Sequence, residues 1–197
     1  MATIVVPFRS NDPKRRLEVR DGDRAALAHA MLADVLAAAM PAGAVLVVAP
    51  SPPPLPAGVR HVDDPHRGQG AAVRAALDAA AGLTLPAPYL VVNADLPCAG
   101  TRDLLALVGA VPDGGLAFTA AADGTTNALA LADERLFEPV YGPGSAERFA
   151  ALAPSRRLEA PNLIDDVDTL DDLLRLRERL GAHTRRVVRA LDLPSAA

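Results

Sequence analysis

Short apolar runs alternate with helix-like patterns along most of the chain. Six runs, several of them rich in β-branched residues, predict strands at residues 4–6, 44–49, 59–62, 89–92, 116–120 and 128–131. Apolar side chains spaced four residues apart predict helices, and the clearest set is Leu27, Met31, Val35 and Ala39. This alternation predicts an α/β protein with three layers and a mostly parallel sheet.

Further helical patterns occupy the middle and the end of the chain. Apolar residues repeat every four positions over residues 72–80, and Thr101 is suited to cap a third helix. Residues 170–180 predict an amphipathic helix whose acidic first turn and basic later turns match the helix dipole. A short helix at residues 184–191 follows. We therefore predict one domain over residues 1–181 and a helical appendage over residues 182–197.

The composition argues against several functional classes. The chain has 197 residues, 50% of them hydrophobic, so it can bury one substantial core. A net charge of -4 and the absence of Trp argue against a nucleic-acid partner, which calls for basic and aromatic surfaces. The single cysteine, Cys98, excludes a disulfide framework and fits a reducing cytoplasm. With no signal-peptide pattern and no membrane-length apolar run, we expect a soluble, cytoplasmic protein with no membrane partner.

The apolar run at residues 89–92 stops abruptly at a carboxylate. It is followed by Asn93, Ala94 and Asp95, and then by Leu96 and Pro97. Four consecutive apolar residues predict a strand that is buried on both faces. Ligands of open α/β sheets bind at the carboxyl ends of the strands, so Asp95 is placed to meet a metal ion or a phosphate. The alternative is that Asp95 caps the turn that follows.

A basic loop follows the first predicted strand. It leaves the strand at Pro7 and carries Arg9, Lys14, Arg15 and Arg16 within eight residues. Arginine binds phosphate oxygens in pairs and lysine acts as a compact charge, so the loop suits a triphosphate. The alternative is a solvated loop whose charges only aid solubility. No P-loop motif occurs in the sequence.

A glycine-rich turn, Gly68-Gln69-Gly70, opens the second helix. Its backbone can admit a nucleotide base or ribose, or can simply turn the chain into the helix. Val73 stands where a dinucleotide-binding fingerprint requires glycine, which argues against a Rossmann dehydrogenase.

Two other loops, at residues 123–129 and 141–145, are rich in small and hydroxyl residues. Such loops expose backbone N–H groups and hydroxyls that can hold a phosphate or a carboxylate. Ser145 also stands at the start of a helical pattern, so we expect it to cap that helix.

An acidic segment precedes the helix predicted over residues 170–180. In an extended segment, Asp166 and Asp168 point to the same side and can share one divalent ion. Magnesium commonly takes one or two carboxylates and completes its shell with phosphates and water. The alternative is that Asp168 or Thr169 caps the helix.

Taken together, five ordered motifs resemble a known family. They are the basic segment at residues 6–17, Ala-Asp-Leu-Pro at residues 94–97, Gly-Thr-Thr-Asn-Ala-Leu at residues 124–129, Tyr-Gly-Pro-Gly-Ser at residues 141–145 and Asp-Val-Asp-Thr at residues 166–169. Nearly the whole chain is similar to the guanylyltransferases that activate a phosphorylated three-carbon acid for coenzyme F-420 synthesis, a branch of the MobA-like nucleotidyltransferases. Arg9 replaces the lysine that this family carries in the first loop.

The resemblance implies a nucleotide-diphospho-sugar transferase fold, GT-A-like and Rossmann-like, with residues 1–181 as the nucleotidyltransferase domain. It implies transfer of GMP from GTP to the phosphate of phosphoenolpyruvate or 2-phospholactate with release of pyrophosphate. The implied site residues are Lys14, Arg16 and Asp95 for catalysis; Pro7, Arg9, Lys14, Gly68, Gly70 and Asp95 for the nucleotide; Thr126, Asn127, Gly142 and Ser145 for the acceptor; and Asp95, Asp166 and Asp168 for Mg²⁺.

Other functions remain open at this point. A glycosyltransferase that uses nucleotide sugars, or another MobA-like nucleotidyltransferase, would share the acidic metal motif. A regulatory paralogue would bind GTP without releasing pyrophosphate. For an enzyme of the resembled family, we expect GTP and a small phosphorylated acid as partners, hand-off of the product to a downstream deazaflavin transferase, and a homodimer.

Overall fold

The computed structural model describes residues 1–9, 17 and 20–191. The strands are β1 (Ala2–Pro7), β2 (Gly43–Ala49), β3 (Arg60–Asp63), β4 (Tyr89–Val92), β5 (Leu116–Ala120), β6 (Thr126–Leu131) and β7 (Ser155–Arg157). The helices are α1 (Asp21–Ala39), α2 (Gln69–Gly82), α3 (Thr101–Gly109), α4 (Ser145–Ala150), α5 (Pro161–Ile164), α6 (Leu170–Leu176) and α7 (Ala182–Ala190). A 3₁₀ helix at Glu134–Leu136 follows β6.

The strands form one sheet in the order β3-β2-β1-β4-β6-β5-β7. All adjacent pairs are parallel except those that β6 makes, because β6 runs antiparallel to both β4 and β5. The carboxyl ends of β1, β2, β3 and β4 therefore share one edge with the amino end of β6. This arrangement confirms the predicted mostly parallel sheet.

Both faces of the sheet are apolar, because successive side chains of a strand point to opposite faces. Ile4 and Val6 belong to the core cluster that includes α1 and α3, whereas Val5 belongs to the cluster that includes α2 and α4. Each strand residue thus points to the face opposite its neighbour's, as strand geometry requires. Helices cover both faces of the sheet, which confirms the three-layer α/β/α architecture.

A third apolar cluster joins α1 to the C-terminal helices. It brings together Leu27 and Met31 of α1, Val167, and Leu173 and Leu176 of α6. The start of α7 is held by the carboxylate of Asp34 in α1, which accepts hydrogen bonds from the backbone N–H groups of residues 183 and 184 at 2.9 and 2.8 Å. The division of the chain at residue 181 stays a prediction.

Three local features differ from the sequence expectation. Strand β7 was not predicted, because its sequence Ser-Arg-Arg is exposed and has no apolar pattern. Gly100, not Thr101, is the N-cap of α3, and the Thr101 hydroxyl instead donates to the carbonyl of Ala38 at 2.8 Å. Helix α6 ends at Leu176 rather than at Leu180.

Across the described part of the chain, no helix combines the length and the apolar character needed to cross a membrane.

Candidate functional site

A cavity of about 560 Å³ opens at the carboxyl edge of the sheet. The ends of β1, β2 and β4 contribute to its wall, together with the first turn of α2 and the acidic segment before α6. The polar lining residues are Arg9, Asp64, Gln69, Asn93, Asp95 and Asp168, and the others are Pro7, Phe8, Ala28, Met31, Val48, Ala72 and Ala94. The cavity thus combines a cation, several carboxylates and apolar side chains, and this mixture is usual in a ligand site.

Three carboxylates predicted to bind metal come together at this edge. Asp95, Asp166 and Asp168 each offer an oxygen, and these oxygens all lie within 4.8 Å of one another. Two oxygens on one Mg²⁺ ion are separated by at most about 4.2 Å, since each Mg–O bond is about 2.1 Å long. Small side-chain adjustments would therefore let the three carboxylates hold one divalent ion.

The backbone fixes this carboxylate cluster from both sides. The N–H group of Val167, a fully buried residue, donates to the carbonyl oxygen of Asp95 at 3.1 Å and so ties the acidic segment to the end of β4. On the other side, the Asp172 carboxylate accepts the N–H groups of Asp168 and Thr169 at 3.2 and 2.9 Å. Thr169 is the N-cap of α6, so the side chain of Asp168 is not required for capping.

The neighbouring Asp165 has a different role. Its two oxygens accept hydrogen bonds from Arg175 and Arg179, each at 2.8 Å. Partial burial raises the pKa of Asp165, but the hydrogen bonds from the two arginines outweigh it and leave the pKa below its ordinary value. Asp165 is thus paired with cations, and this network joins the acidic segment to α6 and the residues after it.

Arg9, the first cation of the predicted basic loop, lines the cavity. Its guanidinium Nε donates to the Asp64 carboxylate at 3.1 Å. Pro7, also predicted to contact nucleotide, lines the same cavity. Lys14 and Arg16, predicted to be catalytic, lie outside the described residues. Asp64 is a site residue that the sequence reasoning missed. Its position directly after β3 was the available signal, but it was weaker than that of Asp95, because β3 reads Arg-His-Val-Asp and is not a buried apolar run.

The two glycines of the second-helix turn have separate structural reasons. Gly68 is the N-cap of α2 with φ of 94°, a left-handed conformation that favours glycine. A Cβ on Gly70 would lie 2.5 Å from the Cβ of Pro139, so Gly70 permits close packing of α2. Between them, Gln69 reaches the cavity and its amide donates to Asn93 at 2.8 Å. The nucleotide-binding roles of Gly68 and Gly70 stay predictions.

The residues predicted to bind the acceptor lie near the same edge because β6 is antiparallel. The hydroxyls of Thr126 and Ser145 are buried and hydrogen-bonded to each other at 3.0 Å. The Asn127 side-chain amide donates to the carbonyl of Ile164 at 2.9 Å. Of the residues the structure describes, these three and Gly142 are not among those that line the cavity. Their binding role stays a prediction.

The loop before α4 is organised by one arginine. The Arg148 guanidinium donates to four consecutive carbonyl groups, those of residues 140–143. Gly142 has φ of 103°, and Gly144, the N-cap of α4, lies in the left-handed region with φ of 71°. The expectation that Ser145 would be the N-cap was wrong, because Ser145 is the first residue of the helix.

Comparisons with known proteins agree with this geometry. The sequence profile of the MobA-like NTP transferase domain family matches residues 9–192. The chain is 37% identical to a phosphoenolpyruvate guanylyltransferase of Streptomyces scabiei, with 97% of this chain and 96% of the relative covered. It is 34% identical to a phosphoenolpyruvate guanylyltransferase of Sphaerobacter thermophilus, with 93% and 94% covered. It is 31% identical to a 2-phospho-L-lactate guanylyltransferase of Methanosphaerula palustris, with 87% and 82% covered.

Solved structures support the fold. A crystal structure from Desulfovibrio desulfuricans G20 matches with a TM-score of 0.72 at 15% identity, covering 98% of this chain and 96% of that chain. The 2-C-methyl-D-erythritol 4-phosphate cytidylyltransferase of Thermus thermophilus matches with a TM-score of 0.59 at 20% identity, covering 87% and 95%. At these identities the likeness concerns the fold alone, and it confirms the nucleotide-diphospho-sugar transferase fold.

Proposed function

Because the chain belongs to the MobA-like NTP transferase family, together with the phosphoenolpyruvate and 2-phospho-L-lactate guanylyltransferases, we propose that it is a guanylyltransferase. It transfers GMP from GTP to the phosphate of a small phosphorylated acid, phosphoenolpyruvate or 2-phospholactate, and releases pyrophosphate in coenzyme F-420 biosynthesis. The observation that carries the proposal is that Arg9, Asp95 and Asp168 line one and the same cavity.

The chemistry requires charge neutralisation more than proton transfer. An oxygen of the acceptor phosphate attacks the α-phosphorus of GTP, and the bond from that phosphorus to the β-phosphate oxygen breaks. A phosphate monoester has a second pKa of about 6, so the attacking oxygen is already ionised near neutral pH. Consistently, neither His nor Cys is among the described residues that line the cavity. The reaction needs no general base from the protein.

The carboxylate cluster would hold the metal ion. Asp95, Asp166 and Asp168 supply three oxygen ligands, the type that Mg²⁺ prefers, and we propose Mg²⁺ as the resident ion. When bound, this ion would offset the negative charge of the phosphate groups that the reaction brings together. The N–H group of Val167 donates to the Asp95 carbonyl, and the N–H group of Asp168 donates to the Asp172 carboxylate. These two bonds hold the backbone of the ligands in place before any ion arrives, which is part of the preorganisation that electrostatic catalysis needs.

The two substrates use different parts of the edge. Arg9, with Lys14 and Arg16 of the same loop, binds the triphosphate and stabilises the leaving pyrophosphate. Pro7, Gly68 and Gly70 form the backbone boundary of the nucleotide position. These assignments are supported by the position of Arg9 in the cavity wall and by the turn that Gly68 and Gly70 make beside it.

The acceptor acid is bound through Thr126, Asn127, Gly142 and Ser145. Support comes from their position, since β6 brings its first residues to the edge that carries Asp95. If this is right, Ser145→Ala raises KM for the acceptor and leaves KM for GTP unchanged. An equal rise in both constants would mean that the buried Thr126–Ser145 pair only stabilises the fold.

The deciding assay measures pyrophosphate release with Mg²⁺ from each of the four nucleoside triphosphates. The acceptors are phosphoenolpyruvate, 2-phospholactate and 3-phosphoglycerate, and we expect GTP with one of the first two. GTP binding without pyrophosphate release would favour the regulatory alternative, and hydrolysis of a nucleotide sugar would favour a glycosyltransferase.

Metal-ligand variants test the site within that assay. Asp95→Asn and Asp168→Asn should each lower turnover by roughly 10²-fold, the scale observed when a preorganised electrostatic group is lost. Asp171→Asn is the matched control, because Asp171 is an exposed acid in the first turn of α6, close in sequence to Asp168, and does not belong to the cluster. Near-normal turnover in both cluster variants would overturn the metal assignment.

We also propose the cellular setting of the reaction. The free, buried thiol of Cys98 suits a reducing cytoplasm. Hand-off of the product to a downstream deazaflavin transferase and assembly as a homodimer are part of the same proposal. Light scattering of the purified protein would test the dimer directly.

A further inference from the structure

An ion pair in the cavity wall, buried on its acidic side only, joins the end of β3 to the loop after β1. The Asp64 carboxylate is almost fully buried, with 1% of its side chain exposed, and it accepts the Nε–H of Arg9 at 3.1 Å. The Arg9 side chain is 42% exposed. The fixed partner of this pair is therefore the acid, and the arginine is the partner that a ligand can reach.

Asp64 is held in place without any help from Arg9. Its second carboxylate oxygen accepts the backbone N–H of His66 at 2.8 Å, and its own N–H donates to the carbonyl of Ala49 at 3.1 Å. The contact with His66 spans two residues and closes an Asx turn, a common device for fixing an Asp side chain. The Arg9-facing oxygen of Asp64 is thus set by the backbone at the ends of β2 and β3.

The contact with Nε determines what Arg9 can do next. Within the described residues, the guanidinium is engaged only through Nε, so the two terminal amino groups remain for a ligand. Arginine binds phosphate in pairs of parallel N–H···O bonds, which requires the plane of the guanidinium to be correctly oriented. A free arginine side chain loses substantial rotamer entropy when it is ordered, and a preset side chain loses less on binding.

We propose that Asp64 is a positioning residue for nucleotide binding, acting through Arg9. Its buried carboxylate orients the guanidinium so that the terminal amino groups face the phosphates of the nucleotide. The proposal rests on the proposed function for the identity of the nucleotide. It also explains why an acid is acceptable in the wall of an anion-binding cavity, since the charge of Asp64 is neutralised by Arg9.

The proposal makes Arg9 and Asp64 interdependent. Without Arg9, the carboxylate would be left unpaired and close to an anionic ligand, so Arg9→Gln should be more harmful than Arg9→Gln combined with Asp64→Asn. Without the carboxylate, Arg9 keeps its charge and loses its orientation. Residues in direct contact commonly show this kind of non-additivity.

The test is a double-mutant cycle made of Asp64→Asn, Arg9→Gln and the double variant. GTP binding is measured by calorimetry with Mg²⁺ and without the acceptor. The kcat and the KM for GTP are measured separately under steady-state conditions. Asp64→Asn should raise Kd and KM for GTP about tenfold, the scale of one charge-assisted hydrogen bond, and change kcat at saturating GTP less than about twofold. In the Arg9→Gln background, Asp64→Asn should no longer weaken binding and should partly restore it. An undiminished Asp64→Asn effect without Arg9, or no effect with Arg9 present, would overturn the proposal.

The variants also control for folding. Asparagine keeps the oxygen that accepts the His66 N–H, and thermal unfolding of Asp64→Asn reports whether that turn survives. If the variant does not fold, Arg9→Lys provides the second test in the native Asp64 protein. A lysine ammonium that pairs with Asp64 can still donate to a phosphate oxygen, but it cannot form the parallel pair of N–H···O bonds that an oriented guanidinium forms. The Kd for GTP should therefore rise about tenfold although the charge is kept. An unchanged Kd in Arg9→Lys would refute the orienting role.

Failure of this inference is distinguishable from failure of the proposed function. The double-mutant cycle measures the affinity for GTP in the absence of the acceptor, whereas the proposed function is tested by pyrophosphate release from the native protein. A native protein that binds GTP and releases no pyrophosphate would leave the cycle fully interpretable.

Discussion

Replacing Asp34 by alanine tests how the C-terminal helix is attached to the domain. Asp34 lies in α1 with only 5% of its surface exposed, and its carboxylate caps α7 from outside that helix. The two N–H groups it accepts belong to the first turn of α7, where no carbonyl of the helix itself can serve them. Gly181 permits this approach, because a Cβ there would lie 2.2 Å from the carboxyl carbon of Asp34.

The magnitude follows from these two hydrogen bonds. Loss of an N-cap side chain costs about 0.5–2 kcal/mol. Leaving a buried donor unsatisfied costs about 1–3 kcal/mol, and Thr184, which carries one of the donors, is completely buried. We therefore expect Asp34→Ala to lower the free energy of unfolding by about 2–4 kcal/mol. Asp34→Asn keeps one acceptor oxygen and should cost about half as much.

Urea unfolding followed by circular dichroism measures this loss. Asp78→Ala is the matched control, because Asp78 is an exposed helical acid whose ion pair with Arg74 spans 3.7 Å. Exposed pairs of this type contribute less than about 1 kcal/mol. If Asp34→Ala were no more destabilising than this control, the capping argument would be refuted.

Hydrogen exchange separates two ways in which the loss can occur. If α7 is an appendage, as the sequence predicts for residues 182–197, Asp34→Ala should speed exchange in α7 and leave α2 protected. If α7 is integral to the domain, protection should fall throughout the core, since opening α7 would then be coupled to global unfolding.

Three further substitutions have expected outcomes. Tyr141→Phe should leave the free energy of unfolding unchanged or raise it by up to about 1 kcal/mol, because the buried hydroxyl has no hydrogen-bond partner among the described residues. A clear decrease in the free energy of unfolding would contradict this. Gly70→Ala should destabilise by about 1–3 kcal/mol through its contact with Pro139, whereas Gly82→Ala, which meets open space, should be neutral or stabilising in the same unfolding assay. Arg148→Met should raise KM for the acceptor acid about tenfold by releasing the loop before α4, and an equal rise in KM for GTP would show that the loop does not serve the acceptor.

Much of the fold could be predicted because its signals are local. The apolar runs predicted the positions of β1 to β6, and the four-residue spacing of apolar residues predicted α1. Both patterns show which side chains are buried, and both can be recognised within a short segment of the sequence. Strand β7 could not be predicted, since Ser-Arg-Arg has no apolar pattern and extends only because the edge of β5 offers backbone partners. The antiparallel direction of β6 likewise depends on its neighbours in the sheet.

The same division holds for the candidate site. The sequence by itself determined that Asp95 ends a buried strand and that Asp166 and Asp168 stand two residues apart, because strand burial and spacing are properties of short segments. Only the tertiary structure decided that these three carboxylates lie within 4.8 Å, since that depends on the bond from Val167 to a residue more than 70 positions away. The pairing of Arg9 with Asp64 was decided in the same way, because parallel strands bring to one edge side chains that the sequence keeps far apart.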